Sequence, residues 1–222
     1  MNIFLALSNY LQAQVKFGVQ LHGTLNTATF RSEFDLSPQK DWKFGYGGGL
    51  YAEIPAYGAF TIKPSINYLK KGVKAKEEYL FEGDNSITNT IRMDLSYIEV
   101  PILLIYNLSK SSNKWFVGLG PSFGYGISGK AEVFETVHIF PETETGFFEA
   151  NVFKDIEADG LGFKRFDFGL NAVIGIRVLE KGNIQLGYLH GLSNIANRND
   201  AHGNKYQNRS IMLTLGYGFN KK

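Results

Sequence analysis

DLSYIEVPILLIYNL, Asp94–Leu108, is a run of Ile, Val, Leu and Tyr with a glutamate and a proline set into its middle. It is shorter than the about 20 apolar residues that a membrane-spanning helix needs. Its β-branched and aromatic content suits a strand. Glu99 needs water or a protein partner on one side, while its neighbours meet something apolar on the other. A strand in the wall of a membrane barrel satisfies both demands.

The rest of the chain repeats that pattern. Val15–Thr27 alternates Val15, Phe17, Val19 and Leu21 with Lys16, Gly18, Gln20 and His22, the two-residue period of a strand with one apolar face. Further strands are expected at Trp42–Ile54, Ala59 to about Lys74, Ile91–Leu108, Trp115–Ser128, Arg165–Leu179, Ile184–Ala196 and Asn208–Phe219. Trp115–Ser128 is the clearest: Trp115, Val117, Leu119, Phe123, Tyr125 and Ile127 alternate with Phe116, Gly118, Gly120, Ser122, Gly124 and Gly126.

The links between these segments alternate in length. Ala28–Asp41, Ala75–Thr90, Gly129–Lys164 and Asn197–Gln207 are long; Pro55–Gly58, Ser109–Lys114 and Glu180–Asn183 are short. An even strand number, short turns on one side, long loops on the other and aromatic girdles describe a bacterial outer-membrane barrel. The expected fold is all-β: an eight-stranded antiparallel up-and-down transmembrane barrel with long extracellular loops and short periplasmic turns. A soluble lipocalin-like barrel would carry large apolar residues inside and charge outside. Here the less apolar face is Gly, Ser, Asn and scattered charge, which suits the packed lumen of a small membrane barrel.

Composition narrows the function. The 222 residues carry a net charge of +2, so nothing draws the chain toward nucleic acid. Cysteine is absent, which removes disulfides and thiolate metal sites. Met1–Gln14, MNIFLALSNYLQAQ, reads as the end of a secretory signal over residues 1–13, without its basic start, leaving the barrel domain at 14–222.

Within this frame the chain resembles the Bacteroidetes outer-membrane β-barrel family that includes the PorT-like proteins. The matching stretches are VKFGVQLHGTLN, YIEVPILLIYNL, WFVGLGPSFGYGISG and the closing Gly218-Phe219; the Asn220-Lys221-Lys222 tail departs from the usual terminal aromatic. The resemblance implies the barrel fold and a place in secretion or gliding machinery, and it assigns no activity.

Candidate residues fall in two groups. Lys16, Glu53, Lys63, Glu99, Asp167 and Arg177 lie on the inward face. They read as a lumen ion network, with a proton or ion path as the sharper alternative. Glu99 is the expected hub, with Arg177 or Lys63 as its partner. The second group is acidic and aromatic: Glu132, Phe134, Phe140, Glu142, Glu144, Phe147, Phe148 and Phe153. Val133–Phe140 and Phe147–Phe153 read as a hairpin projecting above the membrane, a surface for a protein or glycan partner.

Other signals are weaker. Pro64, Pro101 and Pro121 sit at matching heights on three neighbouring strands, so a level band of bulges or weakened pairing is expected there. Gly120–Gly124 matches G-x-S-x-G, but inside an alternating strand rather than at a strand-to-helix turn. Asp200-Ala201-His202 is a remote metal candidate. No cofactor and no enzymatic activity are expected. Outer-membrane lipid is the expected environment, and a narrow or gated channel is the alternative function.

Overall fold

A computed structural model describes residues 15–31, 39–81, 83, 85–108, 114–158, 160–179, 181–196 and 205–219. Its strands are β1 (Lys16–Arg31), β2 (Gln39–Asp41), β3 (Lys43–Pro55), β4 (Phe60–Leu80), β5 (Ser86–Asn107), β6 (Trp115–Ile139), β7 (Glu142–Asn151), β8 (Phe166–Val178), β9 (Gly182–Gly191) and β10 (Lys205–Gly218). The expected signal segment and the Asp200–His202 candidate lie outside the described residues.

All but β2 and β7 form a closed ring, in the order β1-β3-β4-β5-β6-β8-β9-β10 and back to β1. Every neighbouring pair is antiparallel. Closure leaves no bare strand edge inside the bilayer, where an unpaired backbone group would cost several kcal/mol. The expected eight-stranded up-and-down barrel is the observed one.

The alternation in the sequence becomes two faces of a wall. Phe17, Leu21, Phe44, Leu50, Ile62, Ile66, Leu104, Leu119, Phe123, Leu170, Leu186 and Leu213 are exposed outward. Gln20, Asn67, Glu99, Ser122, Asn171 and Thr214 are buried inward. An apolar exterior over a polar interior matches a barrel whose solvent is lipid.

Several lengths depart from expectation. β4, β5 and β6 run 21, 22 and 25 residues, about twice the 9–11 that a tilted strand needs to cross the bilayer. The link expected at Ala75–Thr90 is therefore mostly strand, and only Phe81–Asn85 connects β4 to β5. It reads as a polar loop because, above the membrane, the sheet has water on its outer face. Lys74, Lys76 and Glu78 share that side, while Val73 and Ala75 are buried on the other.

β4, β5, β6 and β7 thus project as a sheet beyond the barrel, with the short β2 paired to β4 along Lys74–Lys76. Tyr79↔Ile87, Ile87↔Val137 and Val137↔Glu144 mark its upper rows. The chain after β7 then returns to the barrel mouth. Val152, Phe153, Ile195, Ala196 and Tyr206 pack there with Val73, Met93, Leu95, Tyr97 and Ala131 as an apolar lid.

The proline band interrupts pairing without shifting register. Between β4 and β5 partners stop at Pro64↔Ile102 and resume in the same register at Asn67↔Glu99. Between β5 and β6 they stop at Pro101↔Ser122 and resume at Leu104↔Leu119. The one register shift in the β5–β6 pair falls higher, between Ser96 and Tyr97, so the expected bulges are not at the prolines. A missing N–H opens a ladder locally, whereas a bulge needs an extra residue.

Candidate functional site

The barrel interior is a stack of side chains rather than a bore. At the tight-turn end Leu103, Ile105, Phe116 and Val173 form an apolar layer. Polar residues fill the middle. Leu69, Leu189 and Met212 form a second small apolar cluster, and the lid closes the far end.

Glu99 is buried at the centre, 3 % exposed. Its Oε2 lies 2.5 Å from Lys71 Nζ, and its Oε1 accepts a 2.7 Å hydrogen bond from Ser122 Oγ. The partner is therefore Lys71, and not Arg177 or Lys63 as expected. Lys71 belongs to the same inward row of β4 as Lys63 and Asn67, so extending that row by two steps beyond Asn67 adds it to the inward charges, though not as the partner of Glu99. Its ammonium also sits 4.9 Å from the Tyr97 ring centre. Ser122, the serine of the G-x-S-x-G match, is a hydrogen-bond donor inside continuous β6.

The other inward charges form separate groups. Lys63 Nζ donates to Gln185 Oε1 at 3.2 Å and lies over the Tyr51 ring at 4.4 Å. Asp167 accepts from Ser193 Oγ and from Asn208 Nδ2, each at 2.7 Å. Arg177 and Glu53 pair at 3.7 Å nearer the tight-turn end, where Arg177 also donates to Asn107 Oδ1. Lys16 stands opposite Glu53 in register but is exposed at that end. One connected network of six charges is not present; the lumen holds several small separate sets.

Neutral side chains that strand alternation alone does not single out join them. Gln20 Nε2 donates to Asn67 Oδ1 at 2.7 Å, and His22 contacts both Asn67 and Thr214. Gln20, His22, Lys63, Asn67, Glu99 and Gln185 border a cavity of about 20 Å³. That is room for about one water molecule. Among the described residues no cluster of His, Asp and Glu is placed to hold a metal.

Most of the acidic–aromatic group lies on the projecting sheet. Phe134 and Phe147 are register partners across β6 and β7, with ring centres 5.0 Å apart. Phe140 is 71 % exposed at the β6–β7 turn, and Phe148 is exposed on the face opposite Phe147. Glu142 and Glu144 are exposed along β7. Glu132 and Glu149 are also register partners and share Lys130, whose ammonium contacts them at 3.0 and 2.8 Å. Hydrogen bonds to Glu149 and then Glu132 hold that ammonium above its ordinary range.

Phe153 is the exception. It is 7 % exposed, stands edge-on to Tyr97 at 6.0 Å, and lies under the Arg165 guanidinium. It belongs to the lid and is removed from the candidate surface. β7 ends at Asn151, and Asn151 Oδ1 accepts from the Phe153 and Lys154 N–H groups, which turns the chain inward.

A closed ring with an apolar exterior, a polar packed lumen and a sheet standing above it defines a small outer-membrane barrel. The chain belongs to the outer membrane protein beta-barrel domain family, whose model matches residues 8–197. Its place is the bacterial outer membrane. No curated protein matches it in sequence. Among solved structures it is similar to Ail, the attachment invasion locus protein of Yersinia pestis, at 12 % identity and a TM-score of 0.43, over 93 % of this chain and 99 % of that one. It is also similar to OprG from Pseudomonas aeruginosa, at 14 % identity and a TM-score of 0.41, over 96 % and 99 %.

Proposed function

We propose that this protein is a non-enzymatic outer-membrane barrel that binds a macromolecular partner through its projecting β4–β7 sheet. The observation that carries the reading is the extension of β4, β5 and β6 well past the membrane, with β7 added beyond the ring. Sheet of that extent is not needed to cross the bilayer or close the barrel. It displays Phe134, Phe140, Phe147 and Phe148 among carboxylates, and exposed aromatics in a polar surround are typical of contact sites. The alternative of a narrow channel has the filled lumen against it. The resemblance to PorT-like proteins supports secretion or gliding machinery as the setting.

The register offers a clean test. Ala131 and Ala150 are a hydrogen-bonded register pair, so a two-residue Asn-Gly turn joining them removes Glu132–Glu149 and leaves the lid residues in place. The shortened protein should reach the outer membrane and show the heat-dependent gel shift of a folded barrel, yet lose surface cross-linking to its partner. Full retention of cross-linking by the shortened, folded barrel would overturn the proposal.

A further inference from the structure

The ring has no open edge, but the sheet above it does. Among the described residues β7 pairs with β6, and nothing else pairs with it along Glu142–Ala150. Its inner end already shows what its outer edge accepts. Leu161 N–H donates to the Asn151 carbonyl at 2.9 Å, and Gly160 makes a parallel bridge to Asn151.

Backbone groups in an antiparallel strand alternate between its two edges. Val152 N–H donates inward to the Gly129 carbonyl, so the even-numbered residues of β7 serve β6. Asn151 faces the other way, and so do Glu149, Phe147, Thr145 and Thr143. Four successive N–H and C=O pairs therefore line an open edge above the membrane. Such an edge is a template for pairing with another chain.

This inference rests on the reading of the projecting sheet as a binding surface, and it specifies the mode. We infer that the outer edge of β7 takes up an extended, basic segment of a partner polypeptide as an added strand. Backbone pairing would run along Thr143–Glu149. Lysine or arginine side chains would meet Glu142, Glu144 and Glu149, and apolar ones would meet Phe147 and Phe148.

A second copy of this chain is the poorer occupant. The β7 sequence, ETETGFFEAN, contains three glutamates and no basic residue. Self-pairing along that edge would bring six carboxylates and no cation together along one seam, and that self-repulsion disfavours it. The carboxylates deter self-association and leave the edge open to a strand of opposite charge.

The probe is a fluorescein-labelled octapeptide alternating lysine with valine and threonine. Its control is the same peptide with every backbone nitrogen methylated, which keeps the charge and removes the hydrogen-bond donors of both edges. Both are titrated against the full-length folded barrel in lipid nanodiscs. The matching protein variant is Thr145→Pro. Proline is tolerated where a strand N–H faces outward, and there it deletes one edge donor; folding is checked by gel shift.

The expected result is micromolar binding of the unmodified peptide. It should weaken at least about tenfold on peptide methylation and again with Thr145→Pro. Amide exchange should slow at Thr143, Thr145, Phe147 and Glu149 on binding. Equal binding of the methylated peptide would overturn the inference, because charge alone would then explain the contact. So would no binding at about 1 mM. If the Glu132–Glu149 deletion abolishes partner cross-linking on cells while Thr145→Pro leaves it unchanged, edge pairing falls and the wider reading of the sheet stands.

Discussion

Lys71 and Glu99 meet at 2.5 Å in the middle of the lumen, reaching across from β4 and β5, and each is 3 % exposed. A buried ion pair loses hydration on both partners, and its attraction repays this only when other bonds complete the geometry. Here Ser122 supplies one of them, to the second carboxylate oxygen.

Removing one partner should therefore cost more than removing both. Lys71→Met strands a carboxylate and Glu99→Gln strands an ammonium, and each should destabilise the barrel by about 3–5 kcal/mol. The double variant Lys71→Met/Glu99→Leu should fall within about 1 kcal/mol of the parent, since well-packed apolar residues often replace a buried pair without loss. Urea unfolding in lipid vesicles, followed by tryptophan fluorescence, measures this cycle. Additive losses in the double variant would contradict the coupling.

The sequence showed the barrel because lipid and lumen write opposite demands onto alternate residues, as in Trp115–Ser128. It was less informative wherever both faces of a strand are wet. Val73-Lys74-Ala75-Lys76 and Ile87-Thr88-Asn89-Thr90-Ile91 do alternate, but faintly, so the upper parts of β4 and β5 read as loop. Single charges could be placed on the inner face by parity, whereas their pairing depends on strand stagger, which no single strand reveals. That is why the partner of Glu99 had to await the register. Phe153 lay beyond reach for a related reason: it is aromatic like Phe147 and Phe148, and only the turn after Asn151 sends it inward.

Phe153 and Phe140 therefore make a contrasting pair. Phe153→Ala removes a ring that packs on Tyr97 and overlies Gly126, where an added Cβ would come within 2.3 Å of Phe153 Cζ. Buried Phe→Ala changes cost about 3–5 kcal/mol. The loss should appear locally, as faster amide exchange and protease nicking over residues 152–163. Phe140→Ala, on an exposed ring, should leave stability within about 0.5 kcal/mol of the parent. Equal effects of the two substitutions would contradict the assignment of Phe153 to the lid.

Gly49 tests how closely β3 and β4 approach. A Cβ there would lie 2.1 Å from the Ile66 carbonyl oxygen and 2.3 Å from Asn67 Oδ1. The first obstacle is backbone and cannot swing away. Gly49→Ala should destabilise by about 1–3 kcal/mol, the range for overpacking. It should also disturb the Gln20–Asn67–His22 hydrogen bonds. Gly58→Ala is the counterpart: its Cβ would meet nothing within 4 Å, but φ is +65°, so its smaller cost of about 1 kcal/mol comes from backbone conformation. A lower urea midpoint for Gly49→Ala than for Gly58→Ala is expected.

Conduction is the alternative that the packed lumen argues against. An ion crossing the barrel needs a continuous file of water or polar ligands. The cavity beside Lys63 and Glu99 has room for about one water, and the Leu103–Ile105–Phe116–Val173 layer lies toward the tight turns. Purified protein in planar bilayers should give no steady conductance, and Glu99→Gln should not create one. Phe116→Ala removes the largest ring of the apolar layer, yet Lys63 with its Gln185 and Tyr51 partners still fills the section above it. That variant should also stay closed. A steady parent conductance altered by Glu99→Gln would show a hydrated path through these side chains and make transport the primary activity.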